Sequence, residues 1–246
     1  MTTNLTLNCD MGEGFGPWNM GDDNSIMPLI DAANIACGGH AGDPSTMRNC
    51  VELAKSHKTE IGAHVSYPDK QGFGRRAMDI NGRALIDLIH YQIGALDGIA
   101  RANGTRVAYV KPHGALYHVM LADVGVLNDI MTAVASWHAE LELVVLATPR
   151  DRKTLQLAVE HGLTLRYEAF ADRGYTSRGL LLSRDKPGAI LNTEQAAEQA
   201  KAIAQNALKT PRGRRIPVNA DTLCVHSDSP GAVKMIAAIR RALDGL

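Results

Sequence analysis

The sequence predicts an irregular (β/α) barrel built from about seven parallel strands. Short apolar, strand-like runs recur along the 246 residues, and stretches with helical spacing of apolar side chains lie between most of them. Six of the seven runs end in Asp, Glu, His or Lys beside Gly or Pro. Ligands collect at the carboxyl ends of parallel strands, where helix N-termini offer unpaired N–H groups, so these endings indicate one shared pocket.

Each predicted strand is a short apolar run bounded by polar or turn-forming residues. Only the run at 143–146 lacks an ionisable residue at its end. In chain order the runs cover residues 5–9, 33–37, 61–63, 107–110, 143–146, 165–167 and 222–225. Their polar endings are Asp10 with Glu13, His40, His64, Lys111 with His113, Glu168, and His226 with Asp228.

Predicted helices begin at a capping residue followed by proline, the pair expected at N-cap and N1. Asp43-Pro44, Thr148-Pro149 and Ser229-Pro230 have this form. Apolar side chains also recur at the spacing of one helical face. The stripes are Met47, Cys50, Val51 and Ala54; Leu85, Leu88, Ile89, Ile93, Leu96 and Ile99; Val126, Leu127, Ile130, Met131 and Val134; Ala196, Ala197, Ala200, Ile203 and Ala207; and Val233, Ile236, Ile239 and Leu243.

The spread of polar endings over nearly all strands favours a barrel over an open doubly wound sheet, which concentrates its ligand at one switch point. No repeat, low-complexity tract or linker divides the sequence, so we expect a single domain over residues 1–246. Two long connections, 173–190 and 209–215, are expected to be solvated loops. A lid or a docking surface for another protein is the alternative for both.

Composition excludes several functional classes. The 26 Lys and Arg residues equal the 26 Asp and Glu residues in number, so no broad field attracts nucleic acid or an anionic membrane. No start resembling a signal peptide and no apolar run near the roughly 20 residues of a membrane span is found, which predicts a cytoplasmic protein. The four cysteines lack CxxC spacing, so we expect buried, reduced thiols rather than a disulfide or a zinc site.

Two acids follow the first predicted strand in a glycine-rich stretch. Asp10 and Glu13 could act as a general base and as a partner for a proton or a metal, although Asp10 could instead only cap a turn. The sequence contains neither GxGxxG nor GxxxxGK followed by Ser or Thr, so it has no recognisable phosphate loop for a nucleotide.

Three histidines end predicted strands and should gather with Lys111 around one rim. His40 also lies beside a helix N-terminus, whose dipole lowers a histidine pKa. His64 and His113 complete the set, and His118 stays ambiguous because its spacing from His113 would allow a shared metal. The remaining histidines lie in or at the ends of predicted helices and are interpreted as structural: His57, His90, His138 and His161.

Lys111 and two loop arginines supply positive charge at the predicted barrel mouth. Lys111 could stabilise a developing oxyanion or hold a carboxylate, or it could form a buried ion pair with Glu168 or Asp10. The guanidinium forks of Arg75 and Arg173 suit a carboxylate or phosphate, or tie loops together.

A rim of carboxylates and imidazoles allows two chemistries. One is metal-assisted hydrolysis, for which Asp10, His64 and His113 are the candidate ligands. The other is metal-free acid–base catalysis on an amide or on an activated derivative of an amide. Spacing alone does not choose between them, although the absence of HExxH and of a tight Asp-Asp pair weakens a metal assignment.

Six long motifs, in order between residue 5 and about residue 230, resemble the LamB/YcsF family closely. They are Asn8-Cys9-Asp10-Met11-Gly12-Glu13-Gly14; Ala33-Asn34-Ile35-Ala36-Cys37-Gly38-Gly39-His40-Ala41-Gly42-Asp43; Gly62-Ala63-His64-Val65-Ser66-Tyr67-Pro68-Asp69; Phe73-Gly74-Arg75; Val110-Lys111-Pro112-His113-Gly114-Ala115-Leu116-Tyr117; and Glu168-Ala169-Phe170-Ala171-Asp172-Arg173-Gly174-Tyr175.

The resemblance implies a (β/α) barrel similar to those of glycoside hydrolases and polysaccharide deacetylases. The family's characterised role, the A subunit of the prokaryotic ATP-dependent 5-oxoprolinase, implies hydrolytic opening of the 5-oxo-L-proline lactam to L-glutamate, coupled to ATP hydrolysis. It also implies partner subunits B and C. An unstrained lactam is a poor electrophile, and phosphorylation of its oxygen provides a good leaving group. Because the sequence lacks a nucleotide loop, we expect ATP to be handled mainly by the partners.

We therefore predict that Asp10 or a neighbouring histidine activates water, that Lys111 and His113 stabilise charge, and that Arg173 holds the α-carboxylate. The alternatives are a non-catalytic regulatory subunit or a metal-dependent carbohydrate or amide deacetylase. The sequence leaves open whether a divalent metal binds and whether the chain forms a homo-oligomer. The predicted catalytic residues are Asp10, Glu13, His40, His64, Lys111 and His113, and the predicted substrate-binding residues are Arg75, Glu168, Asp172, Arg173, His226 and Asp228.

Overall fold

The computed structural model describes residues 5–147, 152–210, 213–228 and 231–246. The strands in these ranges are β1 (Thr6–Met11), β2 (Ala32–Ala36), β3 (Glu60–His64), β4 (Tyr109–Val110), β5 (Glu142–Leu146), β6 (Leu165–Phe170) and β7 (Thr222–Val225). Each strand pairs in parallel with the next, and β7 pairs with β1, which closes the barrel. The predicted fold class is confirmed.

The helices surround this barrel. They are α1 (Asp23–Ile26), α2 (Pro44–His57), α3 (Gly82–Ala102), α4 (Gly114–Ala122), α5 (Val124–Ala135), α6 (Arg152–Glu160), α7 (Thr193–Ala204) and α8 (Ala232–Asp244), with a 3₁₀ turn at Met27–Leu29. Considered singly, the helices of the described ranges are too short or too polar to cross a bilayer. Only α4 and α5 together, bent by 117° at their junction, meet the length and composition test.

The predicted stripes coincide with the buried faces of α2, α3, α5, α7 and α8, except that α7 ends before Ala207. Asp43 caps α2 as predicted, because its carboxylate accepts the backbone N–H groups of Ser45 and Thr46. The predicted caps at 148–149 and 229–230 lie outside the described residues. The cysteines Cys9, Cys37, Cys50 and Cys224 are buried free thiols, as expected.

Several predicted strand boundaries are wrong. Asp10 lies inside β1 and Glu168 inside β6, although the sequence suggested that both strands ended before these acids. Both side chains are buried and meet the ammonium of Lys111 inside the barrel, so a charge there does not end the strand. In addition, β2 begins and ends one residue earlier than predicted, and β4 is confined to Tyr109–Val110.

A glycine in β3 makes room for the buried ring of Tyr109. Gly62 pairs with Tyr109 across β3 and β4, and a Cβ atom at position 62 would lie 2.0 Å from Tyr109 Cε2. The Tyr109 hydroxyl donates a hydrogen bond to Asn34 Oδ1 at 2.7 Å. Gly62 therefore fixes the position of the Tyr109 ring, and through its hydroxyl group the position of the Asn34 side chain.

We expect Gly62→Ala to lower the free energy of unfolding by about 1–3 kcal/mol, because the Tyr109 ring must move and its bond to Asn34 is strained. Urea denaturation of both proteins measures this difference. Gly98→Ala is the matched control, since position 98 is an exposed site in α3 with no atom within 4 Å of the added Cβ. That change should stabilise the helix by roughly 0.5–1 kcal/mol, and equal effects at the two positions would contradict the packing argument.

Candidate active site

A cavity of about 420 Å³ opens at the carboxyl ends of the barrel strands. Predicted site residues from β1, β3, β4, β6 and β7, or from the loops after them, line its wall. His40, Glu168 and Asp172 lie behind that wall and are buried. The predicted residues that line the cavity are Asp10, Glu13, His64, Arg75, Lys111, His113, Arg173, His226 and Asp228.

Lys111 forms the centre of a buried charge cluster. Its Nζ atom lies 3.0 Å from Asp10 Oδ1 and 2.9 Å from Glu168 Oε1, so both ion pairs considered at the sequence level are present. Nζ is also 3.3 Å from Asn8 Oδ1 and 3.0 Å from Cys224 Sγ. These contacts surround an ammonium that has only three protons to donate. The predicted role in oxyanion stabilisation stays a prediction, and the surroundings favour a role in keeping Asp10 ionised.

The directions of the pKa shifts indicate which side chains of this cluster favour their charged form. Burial alone would raise the pKa of Asp10, but His64 and Lys111 outweigh burial and hold the pKa well below its usual range. Burial opposes the charged form of Lys111, but Asp10 and its other partners raise the lysine pKa. Burial raises the pKa of Glu168 in spite of the lysine. Of the two acids beside Lys111, Asp10 is thus the one whose ionised form is favoured more strongly.

An uncharged network, which was not predicted from the sequence, also holds Asp10. Asn34 Nδ2 donates to Asp10 Oδ1 at 2.8 Å and to Asn8 Oδ1 at 2.7 Å. Tyr109 donates to the Asn34 carbonyl oxygen, and Asn8 Nδ2 donates to Thr222 Oγ1 at 2.8 Å. Asparagines within apolar strand runs were the available sequence signal, because a buried amide needs partners.

Three imidazoles and Glu13 form a second cluster beside Asp10. His64 Nε2 lies 3.0 Å from His113 Nδ1 and 3.4 Å from Asp10 Oδ2. Glu13 Oε1 lies 3.2 Å from His40 Nε2 and 3.7 Å from His113 Nδ1. Burial raises the pKa of Glu13 to about 8, with a further contribution from Asp10. Burial also lowers the pKa values of His40 and His113.

His118 lies outside this second cluster. It lines the same cavity, but the ligand atoms that lie within 4.8 Å of one another belong to Glu13, His40, His64 and His113. The metal shared between His113 and His118, which the spacing left open, is therefore not supported by the geometry.

His226 and Asp172 form a hydrogen-bonded pair at the end of β7. Asp172 Oδ2 accepts a 2.7 Å hydrogen bond from His226 Nδ1 and a 3.2 Å bond from the backbone N–H of His226. Burial alone would lower the pKa of His226, but the carboxylate of Asp172 raises it above its ordinary value. The ring also stacks on Phe170, with 5.7 Å between centroids. Asp172 thus fixes the orientation of the imidazole and favours its protonated form.

The connection at 173–190 is not only a solvated loop, because part of it forms the cavity wall. Arg173 donates from Nε to Ala189 O at 3.1 Å and from Nη2 to Leu182 O at 2.7 Å, so it ties this segment together. Arg184, which the sequence analysis did not single out, also lines the cavity. Arg75, which also lines the cavity, is paired with Asp228.

Comparisons with family models, with curated proteins and with solved structures give consistent results. The model of the LamB/YcsF family matches residues 5–245. A Pseudomonas putida protein, named as a second A subunit of 5-oxoprolinase, is 52% identical, over 98% of this chain and 95% of its own length. The A subunit of the Pseudomonas fluorescens 5-oxoprolinase is 50% identical, over 98% and 97%. The crystal structure of the lactam utilization protein from Thermus thermophilus matches with a TM-score of 0.91 at 38% identity, over 98% of this chain and 96% of that one.

Proposed function

The chain belongs to the LamB/YcsF family, and we propose that it is the A subunit of a 5-oxoprolinase, whose barrel mouth hydrolyses the ring amide of 5-oxo-L-proline to give L-glutamate. The observation that carries this proposal is the identity of about half the residues, along nearly the whole chain, to relatives named as the A subunit of 5-oxoprolinase. Those names point to further subunits, and we place ATP-dependent activation of the lactam on partner subunits B and C.

The chemistry requires a base for water and an acid for the departing nitrogen. An ionised Asp10 at the cavity wall suits the first role, because Lys111 and Asn34 hold one of its oxygens and leave the other for a water proton. Water oxygen then joins the activated carbonyl carbon while the ring C–N bond breaks, which leaves an acyl phosphate on the opened chain, and a second water releases phosphate and L-glutamate. The nitrogen leaves as an amine only if it gains a proton.

His226 suits the role of acid. Asp172 accepts the bond from Nδ1, so Nε2 is the ring nitrogen available to the cavity that His226 lines. The same arrangement, an aspartate that orients an imidazole and stabilises its charged form, serves acyl-transfer enzymes. One ligand atom of Asp10 and one of His226 lie within 4.8 Å of each other, so both side chains would reach the amide of one bound lactam.

The substrate carboxylate needs a cation that is not already neutralised. Arg75 is paired with Asp228, whereas Arg173 uses two of its five N–H donors on backbone carbonyls and keeps its charge. Arg173, with Arg184 beside it on the same wall, is the cation that we assign to the α-carboxylate.

Reconstitution tests the proposed function. The chain is combined with the B and C subunits from the same source, and glutamate is measured after addition of 5-oxoproline and ATP. We expect glutamate only when all the subunits and ATP are present. Equal glutamate formation without this chain would refute the proposal. A purely regulatory role instead predicts that variants of the cavity keep full activity.

Asp172→Asn should move the alkaline limb of the pH–rate profile to lower pH. His226 must be protonated to act as an acid, and its pKa is raised by Asp172, so removal of that charge lowers the pKa and activity is lost at lower pH. The groups that bear on His226 are Asp172, Asp10 and Arg184, and only the first is changed. We expect a shift of about one pH unit, equivalent to about 1.4 kcal/mol. An unchanged alkaline limb between pH 6 and 9 would exclude His226 as the acid.

A further inference from the structure

Two backbone carbonyls determine which ring nitrogen carries the hydrogen in His64 and in His113. His64 Nδ1 lies 2.9 Å from Lys111 O, and His113 Nε2 lies 2.9 Å from Phe73 O. A carbonyl oxygen only accepts, so each of these ring nitrogens carries a hydrogen. In the neutral rings, His64 Nε2 and His113 Nδ1 then direct lone pairs at one another across 3.0 Å. A positive partner must therefore bridge them, either a proton on the line between the two nitrogens or a metal ion that lies to one side of that line and bonds to both.

The spacing of the neighbouring donor atoms favours a metal ion. Bonds of about 2.0–2.1 Å in a tetrahedral zinc site place the ligand atoms roughly 3.3 Å from one another. The two histidine nitrogens are 3.0 Å apart, and Glu13 Oε1 is 3.7 Å from His113 Nδ1. Both distances are close to those between the ligands of one such ion, and the ligand atoms of the cluster all lie within 4.8 Å of one another.

His40 has a different place in this cluster. Its ring stacks on that of His113 with 3.7 Å between centroids and only 5° between planes, so the lone pairs of the two rings lie in nearly parallel planes and do not converge on one ion. Its Nε2 lies 3.2 Å from Glu13 Oε1, where it can hold the carboxylate. Each of the three converging side chains thus has an outer partner, namely Lys111 O, Phe73 O or His40, as ligands of bound metals usually do.

We propose that Glu13, His64 and His113 bind one divalent transition-metal ion, with His40 positioning Glu13 and a fourth coordination position open to the cavity. Two imidazoles and one carboxylate are a donor set that zinc accepts, and all three residues line the cavity. The proposal concerns metal binding alone. It stands or falls independently of the lactam chemistry above.

Titration of the chelator-treated full-length chain with zinc alone tests the site. We expect saturable binding of one ion with a dissociation constant in the micromolar range or tighter. Glu13→Gln, His64→Gln and His113→Gln should each weaken binding by more than about 100-fold, whereas His40→Ala, which removes an outer partner, should weaken it by about 10–100-fold. His118→Ala removes a histidine of the same cavity from outside the cluster and should leave zinc binding unchanged.

Thermal unfolding without metal identifies any variant that fails to fold. X-ray absorption of the wild-type zinc complex then gives an independent answer, and we expect nitrogen and oxygen neighbours at about 2.0–2.1 Å. A sulfur shell near 2.3 Å would place the ion at a cysteine and overturn the assignment. The proposal is likewise overturned if no saturable binding occurs up to roughly millimolar zinc, or if folded variants of all three ligands bind as the wild type does. In either case, a proton shared between His64 Nε2 and His113 Nδ1 accounts for their separation of 3.0 Å.

Discussion

Asp10→Asn should reduce glutamate formation by the reconstituted complex by about 10²–10⁴-fold, the range expected when a general base is removed. The change keeps the shape of the side chain, and the amide oxygen can still accept from Asn34 and Lys111. What is lost is the ionised oxygen that faces His64 and lines the cavity. Steady-state assays at saturating 5-oxoproline and ATP, with glutamate as the product measured, give the ratio directly.

Asp87→Asn is the matched control for this substitution. Asp87 is an exposed residue of α3 that pairs with Arg83, and its removal should leave both activity and stability close to wild type. Circular dichroism confirms that the Asp10 variant is folded. Full activity in a folded Asp10→Asn protein would remove Asp10 from the mechanism.

Lys111→Met should destabilise the fold by about 3–5 kcal/mol, the cost of leaving a buried charge without its partner. The ammonium is 3% exposed and lies between Asp10 and Glu168, so its removal leaves two carboxylates facing each other inside the barrel. Adding Glu168→Gln should recover part of the loss, because it removes one of the unpaired acids. Urea denaturation of the two single variants and the double variant gives the coupling energy.

Lys201→Met provides the comparison with a surface lysine. Lys201 forms an exposed pair with Glu198 on α7, where the change should alter the free energy of unfolding by no more than about 0.5 kcal/mol. If Lys111→Met were as mild, or if Glu168→Gln did not improve it, the charge cluster would not have the structural role assigned to it.

Much of the fold was accessible from the sequence because the barrel repeats one local pattern. Strand-like runs and helical stripes alternate, and the stripes on α2, α3, α5, α7 and α8 correspond to real buried faces. The helix α4 escaped prediction because it is apolar nearly throughout and therefore shows no amphipathic period. A strand of two residues, such as β4, has too little length for any pattern to fix its ends.

The residues of the candidate site also fall into two groups, those that the sequence could predict and those that it could not. Residues at strand ends, such as His64 and Lys111, were predictable because parallel strands bring their carboxyl ends to one edge. Arg184 was not, since it reaches the cavity only through the path of the long connection 173–190, and no local signal encodes that path. The tie between Arg173 and the carbonyls of Leu182 and Ala189 is a tertiary contact of the same kind.

The most direct measurement is a crystal structure of the Asp10→Asn chain grown with 5-oxoproline. We expect the lactam in the cavity with its amide against position 10 and His226, the ring nitrogen about 2.6–3.2 Å from His226 Nε2 and one water between the side chain at position 10 and the carbonyl carbon. The carboxylate should lie against Arg173 or Arg184. A ligand bound on another surface, or bound here with its amide turned away from both residues, would contradict the claim that this barrel mouth opens the ring.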